Sequence, residues 1–300
     1  MIPAQDVTMG NGLEQLRQAL EELDRIPDSE WLGSLDERKR KELEFHDRFR
    51  DKDAAAALPQ DTFEKVYGNA KYYRKAKRVM RYSEAWLERH VPGKVFLDLA
   101  CGNGLFAFKA ARAGARYVIG LDISRVSVEI ARQEALAAGL ADRTFFLQAD
   151  AERTLLPSSS VDVCVCSGML HHLDLTYVVP ELRRILKPGG RVLAIEALDY
   201  NPAIKLYRKL TPGMRTEWER SHILGLGDLK FMGRFLDVGE VRYFFILSIL
   251  SPHLPLIAPA LDAVDRVIER VPLLRLLAWM FTFELVKRPL TTEGRTGEPA

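Results

Sequence analysis

Three aspartates, Asp98, Asp122 and Asp150, each follow a short apolar run, and the first opens the small-residue turn "DLACGNG" (98–104). Such a turn can bring backbone amides close to a ligand. A pyrophosphate-binding turn needs glycines in G-x-G-x-x-G spacing ahead of a helix N-terminus. Here the first glycine position is Ala100 and the last is Phe106, which leaves Gly102 and Gly104. A carboxylate at Asp98 opposes a phosphate beside the turn and favours a cationic or ammonium group. Asp122 follows the turn by about twenty residues, where a carboxylate suits a pair of ribose hydroxyls. Asp150 and the amide of Ala151 can read an exocyclic amino group. Taken singly, each aspartate is as readily a helix cap or turn residue. In order, they describe an adenosine with a positively charged arm.

Other side chains add chemistry. His171 and His172, in "GMLHHL", are the candidates for a general base, against the alternative that they pack their loop. His46 in "EFHDRF" is a weaker candidate, because the sequence does not place its helix. Tyr72 and Tyr73, in "KYYRKAKRVMR", can cover a cation with their ring faces. The basic residues around them (Lys71, Arg74, Lys75, Lys77, Arg78, Arg81) read either as a solvated helix face or as a phosphate contact. Cys101, Cys164 and Cys166 have no second pair at metal-ligand spacing, so buried thiols in a reducing compartment are expected. No metal constellation is visible.

The elements that must position these groups follow from texture. "SLDE" (34–37) has capping-box spacing, with Ser34 as cap of a helix through "RKRKELEFHDRF". A second helix over "NAKYYRKAKRVMRYSEAWLERH" ends before Pro92-Gly93. Beyond it, strands are expected at "KVFLDLA", "YVIGLD", "TFFLQAD", "VDVCVCSG" and "RVLAIEAL", with helical patterns between them. Apolar runs separated by helices imply right-handed crossovers and a parallel sheet covered on both faces. "EVRYFFIL" and "WMFTFELVKR" are a sixth and a seventh strand, and a long apolar segment joins them. The fold class is α/β: a doubly wound, Rossmann-like, mostly parallel seven-stranded sheet with an antiparallel last strand.

The motifs "VFLDLACGNG", "GLDIS", "QADAERTLLPSSSVDVCVCSGMLHHL" and "ILKPGGRVLAIEAL" resemble those of class I S-adenosylmethionine-dependent methyltransferases. The branch is the small-molecule group that includes the ubiquinone and menaquinone methyltransferases. The resemblance implies S-adenosyl-L-methionine as cofactor. It assigns Asp98, Gly102 and Gly104 to the methionine end, Asp122 to the ribose, and Asp150 with Ala151 to the adenine. Ala100, Cys101, Ile123, Ser167, Tyr72 and Tyr73 complete the expected binding set. Ala100 departs from the family's glycine, but its side chain is small enough to permit close approach.

Residues 1–90 read as an N-terminal helical extension, 91–290 as the main domain, and 291–300 as a disordered tail. Within the main domain, 199–235 and 248–278 are substrate-side elaborations. A net charge of +2 makes no general case for a nucleic-acid partner. The segment "YFFILSILSPHLPLIAPAL" has no charged residue, but three prolines interrupt it and argue against a membrane span. The expected acceptor is a small hydrophobic molecule of quinone, prenyl, polyketide or aromatic type. Membrane-surface contact or a homodimer through 243–278 is left open. A nucleic-acid methyltransferase and a non-catalytic cofactor-binding subunit are the rival readings. The "MIPAQDVTMG" start has no signal-peptide pattern, so a cytoplasmic location is expected.

Overall fold

The computed structural model describes residues 4–50 and 77–289. Tyr72 and Tyr73 lie outside the described residues, as do Lys71, Arg74, Lys75 and the 291–300 tail. Five strands pair in parallel: β1 (Val95–Leu99), β2 (Tyr117–Asp122), β3 (Thr144–Gln148), β4 (Val161–Ser167) and β5 (Leu186–Ala197). With β6 (Asp237–Phe244) and β7 (Met280–Val286), they form one sheet of order β3-β2-β1-β4-β5-β7-β6. Strand β7 runs antiparallel to both of its neighbours. Every residue of β1 and β2 is buried, which is why both read as unbroken apolar runs rather than alternating ones.

The helices cover both faces. In chain order they are α1 (Ala4–Asp24), α2 (Asp28–Ser34), α3 (Glu37–Arg50), α4 (Lys77–His90), α5 (Leu105–Arg112), α6 (Arg125–Ala137), α7 (Leu175–Ile185), α8 (Pro202–Leu210), α9 (Leu226–Met232) and α10 (Ala258–Ile268). Strand residues alternate between two cores. Leu97 and Leu99 pack with Leu16 and Leu20 of α1, Leu182 of α7 and Met232 of α9. Phe96 points to the opposite face and packs with Trp86 of α4, Phe106 of α5 and Val128 of α6. Cys101, Cys164 and Cys166 are buried free thiols.

Local differences from the expected elements have identifiable causes. Ser34 does not cap α3; it ends α2, and its hydroxyl donates to Trp31 O. Asp36 takes the capping role, with Oδ1 accepting from Lys39 N at 2.9 Å. Helix α7 begins at Leu175 because Asp174 caps it through Thr176 N. The "KPGG" turn is absorbed into β5 across an irregularity opposite Val161–Val163, with Gly189 at φ 78°.

The long link between β6 and β7 is held by one buried side chain. Asp265 of α10 is fully buried, and its carboxylate accepts from the amides of Ile246, Leu247 and Ser248 and from the Ser248 hydroxyl. A buried carboxylate is tolerated when its lone pairs are filled in this way. Replacing Asp265 with Ala would orphan the buried amides of Ile246 and Ser248, each costing about 1–3 kcal/mol, together with the part-buried amide of Leu247. We expect Asp265→Ala to lower stability by at least about 2 kcal/mol, read by denaturant unfolding. An effect below about 1 kcal/mol would show that the link is held by something else.

Candidate functional site

Parallel pairing brings the C-terminal ends of β1–β5 to one edge, where the expected site residues sit. The turn after β1 is tied to β2: Cys101 N donates to Leu121 O, and Gly102 N donates to Asp122 Oδ2 at 2.7 Å. The other Asp122 oxygen accepts from Ser124 N at 2.9 Å. Ala100 has φ 54°, a left-handed conformation that glycine adopts freely and alanine only at a cost of roughly 1–2 kcal/mol. The turn therefore keeps the glycine-type backbone at this departure from the family pattern.

Asp98 plays a different part from the one expected. Its side chain is 2% exposed and lines neither cavity described below. Asp98 Oδ2 accepts from Ala107 N in the first turn of α5, at 2.8 Å. Burial, reinforced by the nearby Asp122 charge, pushes its pKa up to about 8 against the opposing pull of the α5 amides. Asp98 thus holds the turn from beneath. Cys101, Gly102 and Gly104 likewise belong to the backbone of the turn rather than to a cavity wall, and Gly104, at φ 82°, leads into α5.

A cleft of about 110 Å³ lies beside Asp122. Ala100, Leu121, Ile123, Asp150, Ala151 and Ser167 line it from the sheet edge, and α3 closes it with Arg38, Lys39, Glu42 and His46. Asp150 is already engaged: Lys39 Nζ lies 2.6 Å from Asp150 Oδ2 and 2.9 Å from Glu152 Oε2. Burial works against the Lys39 charge, but these two carboxylates outweigh it and raise the lysine pKa. Arg38 pairs with Glu152 at 2.6 Å, donates to His172 O and stacks over Trp218.

A second cavity of about 780 Å³ opens beyond Ser167 and Gly168, which line both. Its walls are mostly apolar, including Leu105, Phe106, Ile195, Ile204, Ile246 and Met280. His171 projects into it. Glu196, fully buried at the end of β5, accepts from Met169 N (2.9 Å), Leu170 N (2.8 Å) and His171 Nδ1 (2.6 Å). That pairing leaves His171 Nε2 as the acceptor nitrogen, by the logic that one ring nitrogen's bond fixes the other's role. Glu219 Oε1 lies 3.9 Å from His171 Nε2, and burial raises the Glu219 pKa despite nearby His172 and Arg215. His172 turns the other way, lining the cleft and donating from Nδ1 to Glu42 Oε2 at 3.0 Å.

The histidines and carboxylates make two groups with ligand atoms within 4.8 Å of one another: Glu42, His46 and His172, and His171, His172 and Glu219. Each group joins a local pair, Glu42 with His46 four residues on in α3 or the adjacent His171 and His172, to a residue from a distant segment, and no spacing in the sequence could show that third member. The structure places His46 over the site, where its ring meets His172 edge-on at 5.0 Å. Sequence reasoning missed Glu196, Glu219, Glu42, Arg38 and Lys39. Glu196 had a signal: a lone acid at the C-terminal end of the otherwise apolar "RVLAIEAL".

Residues 97–194 match the family model of a methyltransferase domain. The chain is similar to the 27-O-demethylrifamycin SV methyltransferase of Amycolatopsis mediterranei (strain S699), with 40% identity over 101 residues. That match covers 33% of this chain and 37% of the relative. It is similar as well to a ubiquinone/menaquinone biosynthesis C-methyltransferase of Brucella anthropi, 36% identical over 116 residues, which are 37% of this chain and 44% of the relative. The matched part thus spans about two fifths of the length of these curated relatives. In fold, the chain resembles the geranyl diphosphate C-methyltransferase from Streptomyces coelicolor A3(2) at a TM-score of 0.56 and 16% identity, over 84% of this chain and 98% of that one.

The Asp98 environment has a measurable consequence. Its folded pKa of about 8 lies above the value of 3.8 expected for an unperturbed aspartate, so between those limits the folded state binds a proton that the unfolded state releases. Stability is therefore lost as pH rises through that window, by up to about 1.4 kcal/mol per pH unit. Asp98→Asn keeps the acceptor for Ala107 N and removes the titration. Thermal melts should show the variant gaining on the parent from pH 5 to pH 8. A difference that does not change with pH would refute this assignment.

Proposed function

We propose that this chain, whose residues 97–194 match the family model of a methyltransferase domain, transfers a methyl group from S-adenosyl-L-methionine to a small apolar acceptor. One observation carries this reading: the cleft beside Asp122 and the apolar cavity meet at Ser167–Gly168, with His171 on the acceptor side. The donor set of the cleft suits an adenosine. Asp122 takes one turn amide at each oxygen, and an ionised carboxylate is an acceptor-only group of the kind that suits ribose hydroxyls. Leu121, Ile123, Ala149 and Leu173 offer apolar surface for a flat base. Asp150 and the Ala151 amide stand where its amino group would be read, with Lys39 sharing the Asp150 carboxylate.

When bound, the cofactor supplies a methyl group on a positively charged sulfur, open to in-line attack by the acceptor. The protein's own contribution is alignment and exclusion of water. Holding two reactants in line can contribute about 7–11 kcal/mol in favourable systems. Ala100, Asp122 and the Ser167–Gly168 edge fix one reactant, and the apolar wall fixes the other. His171 Nε2 takes the proton that the acceptor loses, and Glu196 orients the ring through Nδ1. The proton comes to rest on a histidine that already donates to a buried carboxylate, the arrangement that makes imidazole an effective base. A cavity with few polar groups selects an acceptor of quinone, polyketide, prenyl or aromatic character.

Two measurements check the reading. S-adenosylhomocysteine at 100 times its dissociation constant should stabilise the parent by about 2.7 kcal/mol, with the thermal shift lost in Asp122→Ala. A shift with NAD alone would remove the cofactor assignment. His171→Ala should lower kcat by about 10²–10⁴-fold on an apolar acceptor while leaving S-adenosylhomocysteine affinity nearly unchanged. Full turnover in that variant would take the base role away from His171.

A further inference from the structure

The link between β6 and β7 exposes apolar side chains that no described residue covers. Leu256 is 96% exposed, Leu273 79% and Val267 64%. Val264 and Val267 fall three residues apart on one face of α10, and Val271 follows just beyond its C-terminal end. Beside this ridge, between α4, β6 and the end of α10, runs a groove of about 810 Å³ walled by arginines. Arg78 is neutralised by Glu269 and Arg242 by Glu240, and Arg275 lies over the Tyr243 ring. Arg81, Arg89, Arg266 and Arg270 are exposed and form no ion pair among the described residues. The face is thus an apolar ridge flanked by unneutralised guanidinium groups.

We propose that this face docks on a bilayer surface rich in anionic phospholipid. The leucines and valines would enter the headgroup–acyl boundary, and the arginines would donate to headgroup phosphates. An apolar strip with cations at its border is the pattern of interfacial elements that lie in the membrane surface rather than cross it. Guanidinium forks match phosphate oxygens in pairs. A second copy of the chain fits less well, because a two-fold contact sets the same patch against itself and so opposes its arginines. No helix of the described residues is long and apolar enough to cross a membrane, so the contact is peripheral. The same link supplies Ile246, Ile249 and Leu250 to the wall of the large cavity, while Leu206 and Leu210 of α8 are exposed near its opposite wall. The docking claim is read from binding alone and stands apart from the transfer reaction.

Sedimentation of the full chain with phosphatidylcholine vesicles, with and without phosphatidylglycerol, tests this. The parent should bind only the phosphatidylglycerol vesicles and release them at high salt. Arg266→Gln combined with Arg270→Gln should weaken partitioning roughly thirty-fold, from about 1 kcal/mol per charge near the surface. Leu256→Asp combined with Leu273→Asp should abolish it. Unchanged far-ultraviolet circular dichroism and melting temperature would show that both variants fold. Equal binding to neutral vesicles, or binding unaffected by either variant, would overturn the proposal. So would the absence of vesicle binding together with a dimer that Leu256→Asp dissociates, which would assign the face to a second copy.

Discussion

Parallel strands cannot be joined by tight turns, so each connection in β1–β5 must cross over the sheet and return to start the next strand at the same end. All five C-terminal ends consequently meet at one edge, together with the loops that leave them. The register makes this concrete. Asp98 stands level with Gly120 of β2 and Val165 of β4, and Ser167 stands level with Ile195 of β5. The turn at 98–104, Asp122, Ser167 and Glu196 meet at one edge of the sheet because the parallel pairing brings these strand ends together. The antiparallel pair β7–β6 extends the sheet beyond β5 and carries the long apolar link that closes the far wall.

Loops at such an edge need fixing, and this chain fixes them repeatedly by one device. A buried acid at the end of one element takes the amides of a neighbouring segment: Asp122 holds 102 and 124, Glu196 holds 169 and 170, and Asp265 holds 246–248. Each carboxylate would be costly in the interior if unpaired and is stable because its acceptors are filled. In return, each sets a wall of the site: the turn beside the cleft, the histidine loop between the two chambers, and the link over the large cavity. Charge and hydrogen bonding here do structural work that packing of the apolar core alone would leave undetermined.

The strands were legible because burial on both faces writes itself into composition. "YVIGLD" coincides with β2 end to end, and "VDVCVCSG" overshoots β4 by one glycine. The site was legible only where a residue ends a strand. Asp122, Ile123, Asp150, Ala151 and Ser167 line one cleft, whereas Asp98, the most prominent residue in the turn, faces the start of α5. Helix α3 was visible as a helix but not as a cover. Its pairs to the site, Arg38 with Glu152 and Lys39 with Asp150, span 114 and 111 residues, and no local pattern encodes a contact at that distance. Ser34 and Asp36 show the limit at short range: both are good caps, and only the preceding helix decides which one is free to act.

Helix α3 has a further property that follows from where Glu42 reaches. Its carboxylate accepts from His172, which borders the cleft, and from Thr216, in the segment that supplies Arg215 and Glu219 to the apolar cavity. The same helix grips Asp150 and Glu152 through Lys39 and Arg38. One helix is thus fastened to both compartments. An occupant that displaced it on one side would alter the free energy of filling the other, and such coupling is reciprocal by thermodynamic necessity. Whatever factor the first ligand contributed to the affinity of the second, the second would return to the first.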